Sequence, residues 1–392
     1  MDSAKFDSWP AGINNLAQPH RLPQGAVRDL VNLDPAEGGT LELRATFAQV
    51  LACAAGRAAF PVGRTVVVID GGQILAYSTL TDEAHLLCTI VENGPIAGAE
   101  LNGQLYLASL IESLRTDGFS VKPWAIEEPA FSVEVIAGGL AAGLYRVAVT
   151  ATGADGEESS AHSASIRVPA DGGLRITSAD PRPLRVYASA ANSETPYYQG
   201  LLHGGARALT RIDDSMEQLA TDGLVAMPPC TEYAAYHGVI IGRYESAVFF
   251  SLPMWPHLMD PVSGFFQYGA PVTALAVTDG GVFVAADKTY FLTGLETDKP
   301  MQRVVLELGA VEGSAVTLPD GRAAWFTRYG QAIGSPDGTI ALPNRQSFAP
   351  DIAAKGAAGV VEHNGNQMVV TTMRGITQAN NLVAGDFADL ET

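Results

Sequence analysis

Val272–Gly294 reads VTALAVT, Asp279-Gly280-Gly281, VFVAA, Asp287-Lys288-Thr289, YFLTG. Three short apolar runs are joined by two polar corners. Valine, phenylalanine, tyrosine and threonine suit a pleated, half-buried surface. Aspartate followed by glycine supplies the positive φ of a tight hairpin turn. A fourth run, Val304 to Leu308, follows the break at Pro300. The stretch predicts a four-stranded up-and-down unit.

The same corner chemistry recurs along the chain. It appears at Asp70-Gly71-Gly72, Asn102-Gly103, His237-Gly238, Asp279-Gly280, Asp320-Gly321 and Asn364-Gly365, each followed by a β-rich run. Successive corners lie 32 residues apart (70 to 102), then 42, 41 and 44 apart from 237 onward. A period near 40 with four strands per unit is the mark of β-propeller blades. Each unit alone would expose its apolar faces; packing units around an axis buries them and leaves only short edges. No Trp-Asp signature accompanies the repeats, and a set of β-sandwiches is the competing architecture.

The interval from Asn102 to His237 breaks the period. Within it, runs at Phe131–Val135, Leu144–Thr150, Ser163–Val168, Leu174–Thr177 and Leu184–Ala188 recur at sandwich spacing, with a turn at Asp155–Ser159. The reading is therefore all-β. A propeller of about six blades, or seven, occupies residues 41–128 and 200–392, and a sandwich is inserted at residues 129–199. Residues 1–40, punctuated by prolines 10, 19, 23 and 35, form an extended arm. That arm either packs over a sheet surface, reaches a neighbour, or supplies an outer strand of its own domain. Leu252–Tyr268 (LPMWPHLMDPVSGFFQY) reads as an apolar loop covering a blade or meeting another subunit. Leu43–Ala54 and Ser215–Ala220 carry the only, weak, helical patterns.

Among 392 residues, 42 are acidic and 24 basic, a formal charge of −18. Such a surface either serves solubility or lets a polyanion pass without gripping it. The thiols Cys53, Cys88 and Cys230 lack metal-ligand spacing and read as buried thiols of a reducing compartment. No signal-peptide pattern or membrane-spanning apolar run is visible, which places synthesis in a cytoplasm.

The sequence contains no HExxH, GxSxG, P-loop or EF-hand pattern. Gly138-Gly139 and Gly204-Gly205 do not open a helix after a strand, so neither predicts a phosphate cradle. The pairs Glu127-Glu128, Glu157-Glu158 and Asp213-Asp214 read as solvated turns, because glycosidase chemistry needs carboxylates that converge across a cleft. Asp260 and Asp351 are candidates to line a propeller channel. The scattered histidines 85, 162, 203, 237, 257 and 363 do not predict a metal site. Trp124, Trp255 and Trp325 either stack sugars or fill a core. No catalytic, cofactor-binding or metal-ligating residue is assigned, and no cofactor is expected.

GINN (Gly12–Asn15), the run Pro23 with Gly25–Asp34, AELNGQLYLAS (Ala99–Ser109) and Pro271–Gly294 together resemble a family of tailed-bacteriophage virion proteins. Gln24 is an insertion after the proline. The RRRPG that often follows the arm is absent, and Leu41–Thr46 stands in its place. GLYRVAVTAT followed by DGEES is similar to a fibronectin type III-like module. The resemblance implies a non-enzymatic nozzle or stabilisation protein of the virion tail. Its propeller would repeat in a homo-oligomeric ring, expected as a hexamer, around the DNA exit channel, beside other tail or head–tail connector proteins. DNA would pass without specific binding, and no membrane would be involved. The alternatives are a receptor- or carbohydrate-binding tail-tip protein and, third, a propeller glycoside hydrolase.

Overall fold

The computed structural model describes residues 8–44, 49–91, 94–349, 353–363 and 366–375. The described chain is all-β, with short 3-10 turns at Pro19–Arg21 and Glu37–Gly39.

Five sheets are four-stranded antiparallel meanders whose strands neighbour one another in chain order. Sheet A comprises Gly56–Val62, Thr65–Asp70, Gln73–Ser78 and Glu83–Thr89, and sheet B comprises Ala97–Leu101, Gln104–Ala108, Ser113–Thr116 and Val121–Pro123. Sheet D follows at Glu232–Tyr236, Val239–Tyr244, Ala247–Phe250 and Phe265–Gln267. Sheet E is Ala274–Thr278, Gly281–Ala285, Thr289–Thr293 and Met301–Leu306; sheet F is Val316–Thr317, Ala323–Thr327, Gly330–Gly334 and Ile340–Ala341. The fourth strand of E thus begins at Met301, before the run Val304–Leu308 from which it was expected. Sheet G pairs Ala353–His363 with Asn366–Gly375; the Asn364-Gly365 corner lies outside the described residues. The described residues hold five four-stranded sheets, one five-stranded sheet and four two-stranded ones, of which G is one.

The corners are less uniform than their sequences. Asn102 and Gly103 (φ 55° and 77°), like His237 and Gly238 (45° and 83°), are both left-handed, as a I′ hairpin requires. Asp279-Gly280 has no left-handed residue, contrary to expectation. Its glycine serves a different need: a Cβ on Gly280 would overlap the Pro336 carbonyl in the neighbouring sheet. Asp70 also occupies a different place. It opens the second turn of A, whereas the other corners are first turns. The equivalent corner of A is Gly63-Arg64, which lengthens the short first step to 39 residues, from 63 to 102.

Consecutive meanders pack through their first strands, A on B, B on D, D on E and E on F. An apolar core fills each junction. Val67, Ile69, Leu105 and Leu107 join A to B. Tyr106, Trp124, Tyr233 and Ile240 join B to D. Val239, Ile241, Leu275 and Val282 join D to E, and Phe283, Phe291 and Trp325 join E to F. Side chains on both faces are buried, so the central strands read as nearly continuous apolar runs, for example Gly281–Ala285. Burial of a Val, Leu or Phe side chain contributes about 1.5–3 kcal/mol, so these cores dominate the cohesion of the arc.

Sheet C interrupts the series between B and D. It contains Ser132–Leu140, Gly143–Ala151, His162–Val168, Gly172–Ser189 and Pro196–Leu209. The runs expected as separate strands at 174–177 and 184–188 are one long strand, with an irregularity between Ser178 and Pro183. Its first half pairs with 132–140 and its second half with 147–151. Both halves line one core with Tyr145, Val147 and Val149. The other face carries Ala148 and Tyr187 under Leu219. The last strand runs to Leu209, past residue 199.

The arm folds back on itself. Gly12–Ile13 pairs in parallel with Ala26–Val27, and Leu33–Pro35 pairs with Leu41–Leu43. Leu252–Tyr268 is not a loop throughout: Leu258–Met259 pairs with Val225–Ala226, and Phe265–Gln267 closes sheet D. Residues 215–220 are not helical, with Gln218 bridging to Tyr197, nor are 49–54; 45–48 lie outside the described residues.

Candidate functional site

Two charged networks join the sheets. The first sits where the turn of sheet C meets sheet B. Arg115, on the third strand of B, pairs with Glu157 and with Asp155 at 3.0 Å. Lys122 reaches Asp155 at 2.5 Å. The bond from Lys122 holds the Asp155 carboxyl below its usual range. Burial pushes Glu157 up, but its bond to Arg115, the charge of that guanidinium and backbone N–H donors together outweigh this and leave it lowered. Glu158 accepts from Tyr187 Oη at 2.6 Å and from Thr150 Oγ1, and Arg185 lies 3.4 Å away. The buried His257 donates from Nε2 to the Glu158 carbonyl at 2.8 Å, while Trp124 Nε1 donates to Pro256 O at 3.0 Å. Burial holds the His257 imidazole below its usual value and keeps it neutral.

Glu157-Glu158 is therefore not a solvated turn. The Glu157 carboxylate points into the seam between C and B, and that of Glu158 lies on sheet C itself, held by Thr150, Tyr187 and Arg185; their side chains are 20% and 14% exposed. Their partners, Arg115 and Arg185, are distant in sequence, and no local pattern reveals them. Glu127 is exposed, and Glu128 bonds His162 Nδ1 at 2.7 Å. Asp213 pairs with Arg211 at 3.1 Å, and Asp214 is exposed. Glu127, Asp213 and Asp214 fit solvated turns.

The second network crosses D, E and G. Arg243, 8% exposed on the second strand of D, donates to Glu232 at 2.5 Å and to Val272 O at 2.6 Å. Its other nitrogen lies 3.4 Å from Glu312, which Lys355 of sheet G also approaches at 3.4 Å. Glu232 further accepts from the Leu275 backbone at 3.3 Å. Burial pushes its carboxyl up against the pull of Arg243. Sequence reading missed this network, because nothing local marks Arg243 or Glu232 as partners.

The remaining candidates are placed as follows. Asp260 caps its own turn through Val262 N and Ser263 Oγ, and the Ser263 bond lowers its carboxyl. Asp351 lies outside the described residues. Trp124 and Trp325 are core residues, 3% and 1% exposed; Trp255 is half-buried and stacks on His257 at 5.9 Å. His237 stacks on Tyr236 at 4.2 Å. Cys230 is buried, but Cys53 is exposed and Cys88 intermediate, so the expectation of three buried thiols is corrected. Cys88 lies in the outer strand of A, partly buried against the A–B core, and Cys53 precedes the first strand of A. Among the described residues no group of three or more His, Cys, Asp or Glu side chains converges as a metal site would. No helix among them is long and apolar enough to cross a membrane. A cleft between A and B, lined by Ile74, Ile90, Leu107, Ser109, Glu112 and Leu114, has a volume of about 10 Å³, room for one water.

No protein-family model matches the sequence, and a search of curated proteins finds no match. Among solved structures, the chain is similar to the extracellular domain of the one-component system BT4673 from B. thetaiotaomicron. The identity is 9% and the TM-score 0.30, over 73% of this chain and 34% of that one. A chain of a mitotic checkpoint complex matches at 11% identity and a TM-score of 0.29, over 78% of each chain. AztD from Citrobacter koseri matches at 11% identity and a TM-score of 0.26, over 79% of this chain and 92% of that one. The chain spans about a third of the length of the first of these. Likeness at this level carries no argument about fold or activity.

Proposed function

We propose that this chain is a structural, non-enzymatic component of a bacteriophage tail, of the nozzle or stabilisation type. In this reading sheets A, B, D, E and F are propeller blades, G belongs to a sixth, and C is a fibronectin type III-like module spliced between the second and third. Copies form a ring around the DNA channel next to tail or head–tail connector proteins, after assembly in the host cytoplasm. The observation that carries the reading is the serial packing of meander sheets, first strand against first strand, through four successive apolar cores. That is the arrangement expected of sheets set radially. The phage-like motifs at Gly12–Asn15 and Pro23–Asp34 supply the family. The charge of −18 suits a channel wall that DNA passes without adhering.

The test is to locate the chain in purified particles by cryo-electron microscopy with a tagged copy. Density as a ring at the tail exit is the expected result. Absence of the chain from purified virions would end the tail reading. Density confined to a distal tip, with binding of host glycans, would favour the receptor-binding alternative.

A further inference from the structure

The GINN motif and a pair of arginines stacked on one ring meet on one surface. Asn15 pins the arm to the loop after sheet F by three bonds. Its backbone N–H donates to Ser347 O at 3.0 Å, its Nδ2 donates to Ala349 O at 2.8 Å, and its Oδ1 accepts from Ala349 N at 2.9 Å. The side-chain amide thus stands in for a strand's peptide group. The next arm residue, Leu16, is 52% exposed. Phe348, in the pinned loop, lies against Gly330, at the turn between the second and third strands of F.

That turn presents Tyr329, 39% exposed, with two guanidinium groups over its ring: Arg328 at 5.0 Å and Arg345 at 5.4 Å from the centroid. Both arginines are exposed. Among the described residues neither has a carboxylate within ion-pair distance, although acidic residues outnumber basic ones 42 to 24. Arg115, Arg146, Arg185 and Arg243 are each matched to an acid, whereas Arg64, Arg167 and Arg303 are not among the described residues; what sets Arg328 and Arg345 apart is the exposed ring they share. A ring that orients two guanidinium forks leaves their N–H groups free for bidentate bonds to carboxylates. Tyrosine and arginine are also the side chains that dominate protein contacts.

We propose that Arg328, Tyr329 and Arg345, with the arm held beside them by Asn15, form the surface that docks an acidic face of a second copy of this chain. The choice of partner rests on the ring reading above and on charge complementarity. Copies that each carry −18 repel one another unless a local cationic patch meets an acidic one. DNA is the less suitable occupant. Two arginines neutralise about two phosphates, too few to hold a duplex to an acidic protein at physiological salt.

The experiment measures the mass of the full chain by light scattering, between 50 and 500 mM salt. Wild type is compared with the double variant R328E/R345E and, as a milder change, R328Q/R345Q. The expected result is a wild-type oligomer that weakens with salt. The reversal variant should be monomeric with an unchanged melting temperature, and the Gln variant should lose at least tenfold in association constant. A wild type that assembles together with variants that assemble equally well overturns this inference and leaves the ring reading intact. A wild type that is monomeric at every concentration overturns both. Binding of a labelled 20-base-pair duplex to wild type but not to R328E/R345E identifies a polyanion site and also overturns the proposal.

Discussion

Replacement of Arg243 by methionine tests whether the charged network that crosses sheets D, E and G holds them together. The substitution keeps most of the buried stem and removes the guanidinium. Glu232 then loses its 2.5 Å partner, and the carbonyl of Val272 loses a donor. Breaking one side of a buried pair costs about 3–5 kcal/mol. The Glu232 side chain is 26% exposed, so water recovers part of this, and the low end, about 3 kcal/mol, is the working figure. With an unfolding entropy of about 2.1 cal/mol/K per residue, that lowers Tm by about 4 °C if the whole chain melts as one unit. If residues 232–375 melt separately, the same loss lowers their Tm by about 10 °C. There is a second signature. Burial already pushes Glu232 up, and loss of Arg243 pushes it further. The variant's folded state therefore takes up a proton as pH falls, while the unfolded carboxyl stays ionised down to about 4.3, so the gap to wild type narrows on acidification. The assay is thermal melting followed by near-ultraviolet circular dichroism at pH 8 and pH 5. A variant that melts within about 1 °C of wild type at pH 8, or a gap that does not change with pH, would refute the reasoning.

Three further outcomes are expected. Asp155 and Glu157 are held low in the folded state, so their stabilisation is complete above their unfolded values near 4. It is lost as pH falls through the folded ones. Melting temperature should drop more steeply below pH 4 in wild type than in Arg115→Leu, which has already lost the Glu157 clamp and keeps only the Lys122 bond to Asp155. In thiol titration with a disulfide reagent, exposed Cys53 should react first, and Cys53→Ser should remove the fast phase. Buried Cys230, its thiol pushed up to about 12 by desolvation, should react only on unfolding. Gly321→Ala should lower the urea midpoint by the equivalent of about 1–3 kcal/mol, because residue 321 has φ 78° and a Cβ there overlaps the Asp279 carboxylate. Gly269→Ala, which meets nothing within 4 Å, is the control and should stay within about 0.5 kcal/mol of wild type.

Local chemistry carried the strands and most of the corners. Val272–Gly294 reads directly as three strands, since short apolar β-branched and aromatic runs between polar corners act over a few residues. The seams did not read so directly. Gly280 fits because of Pro336, Glu157 because of Arg115, and Arg243 because of Glu232 and Glu312. Such partners are chosen by how sheets stack, and a single sequence does not display that. The bend of 172–189 was similarly hidden: two prolines, Pro181 and Pro183, look like a break between strands but sit at an irregularity within one. The Arg–Tyr–Arg surface was invisible because residues 328 and 345 come together only once the loop after sheet F folds back on it.

The placement of sheet C has a consequence for synthesis. Trp124 of the B seam packs on Tyr233 of sheet D at 5.1 Å, yet the ribosome makes all of C between them. At about 5–20 residues per second, roughly 5 to 20 seconds pass before Tyr233 emerges. During that delay Tyr106 and Trp124 have no cover from D, and a chaperone or a neighbouring nascent chain is the nearest substitute. Early completion of C would bring its two ends together and shorten the search, so the interruption would act as a folding splint for the seam it divides.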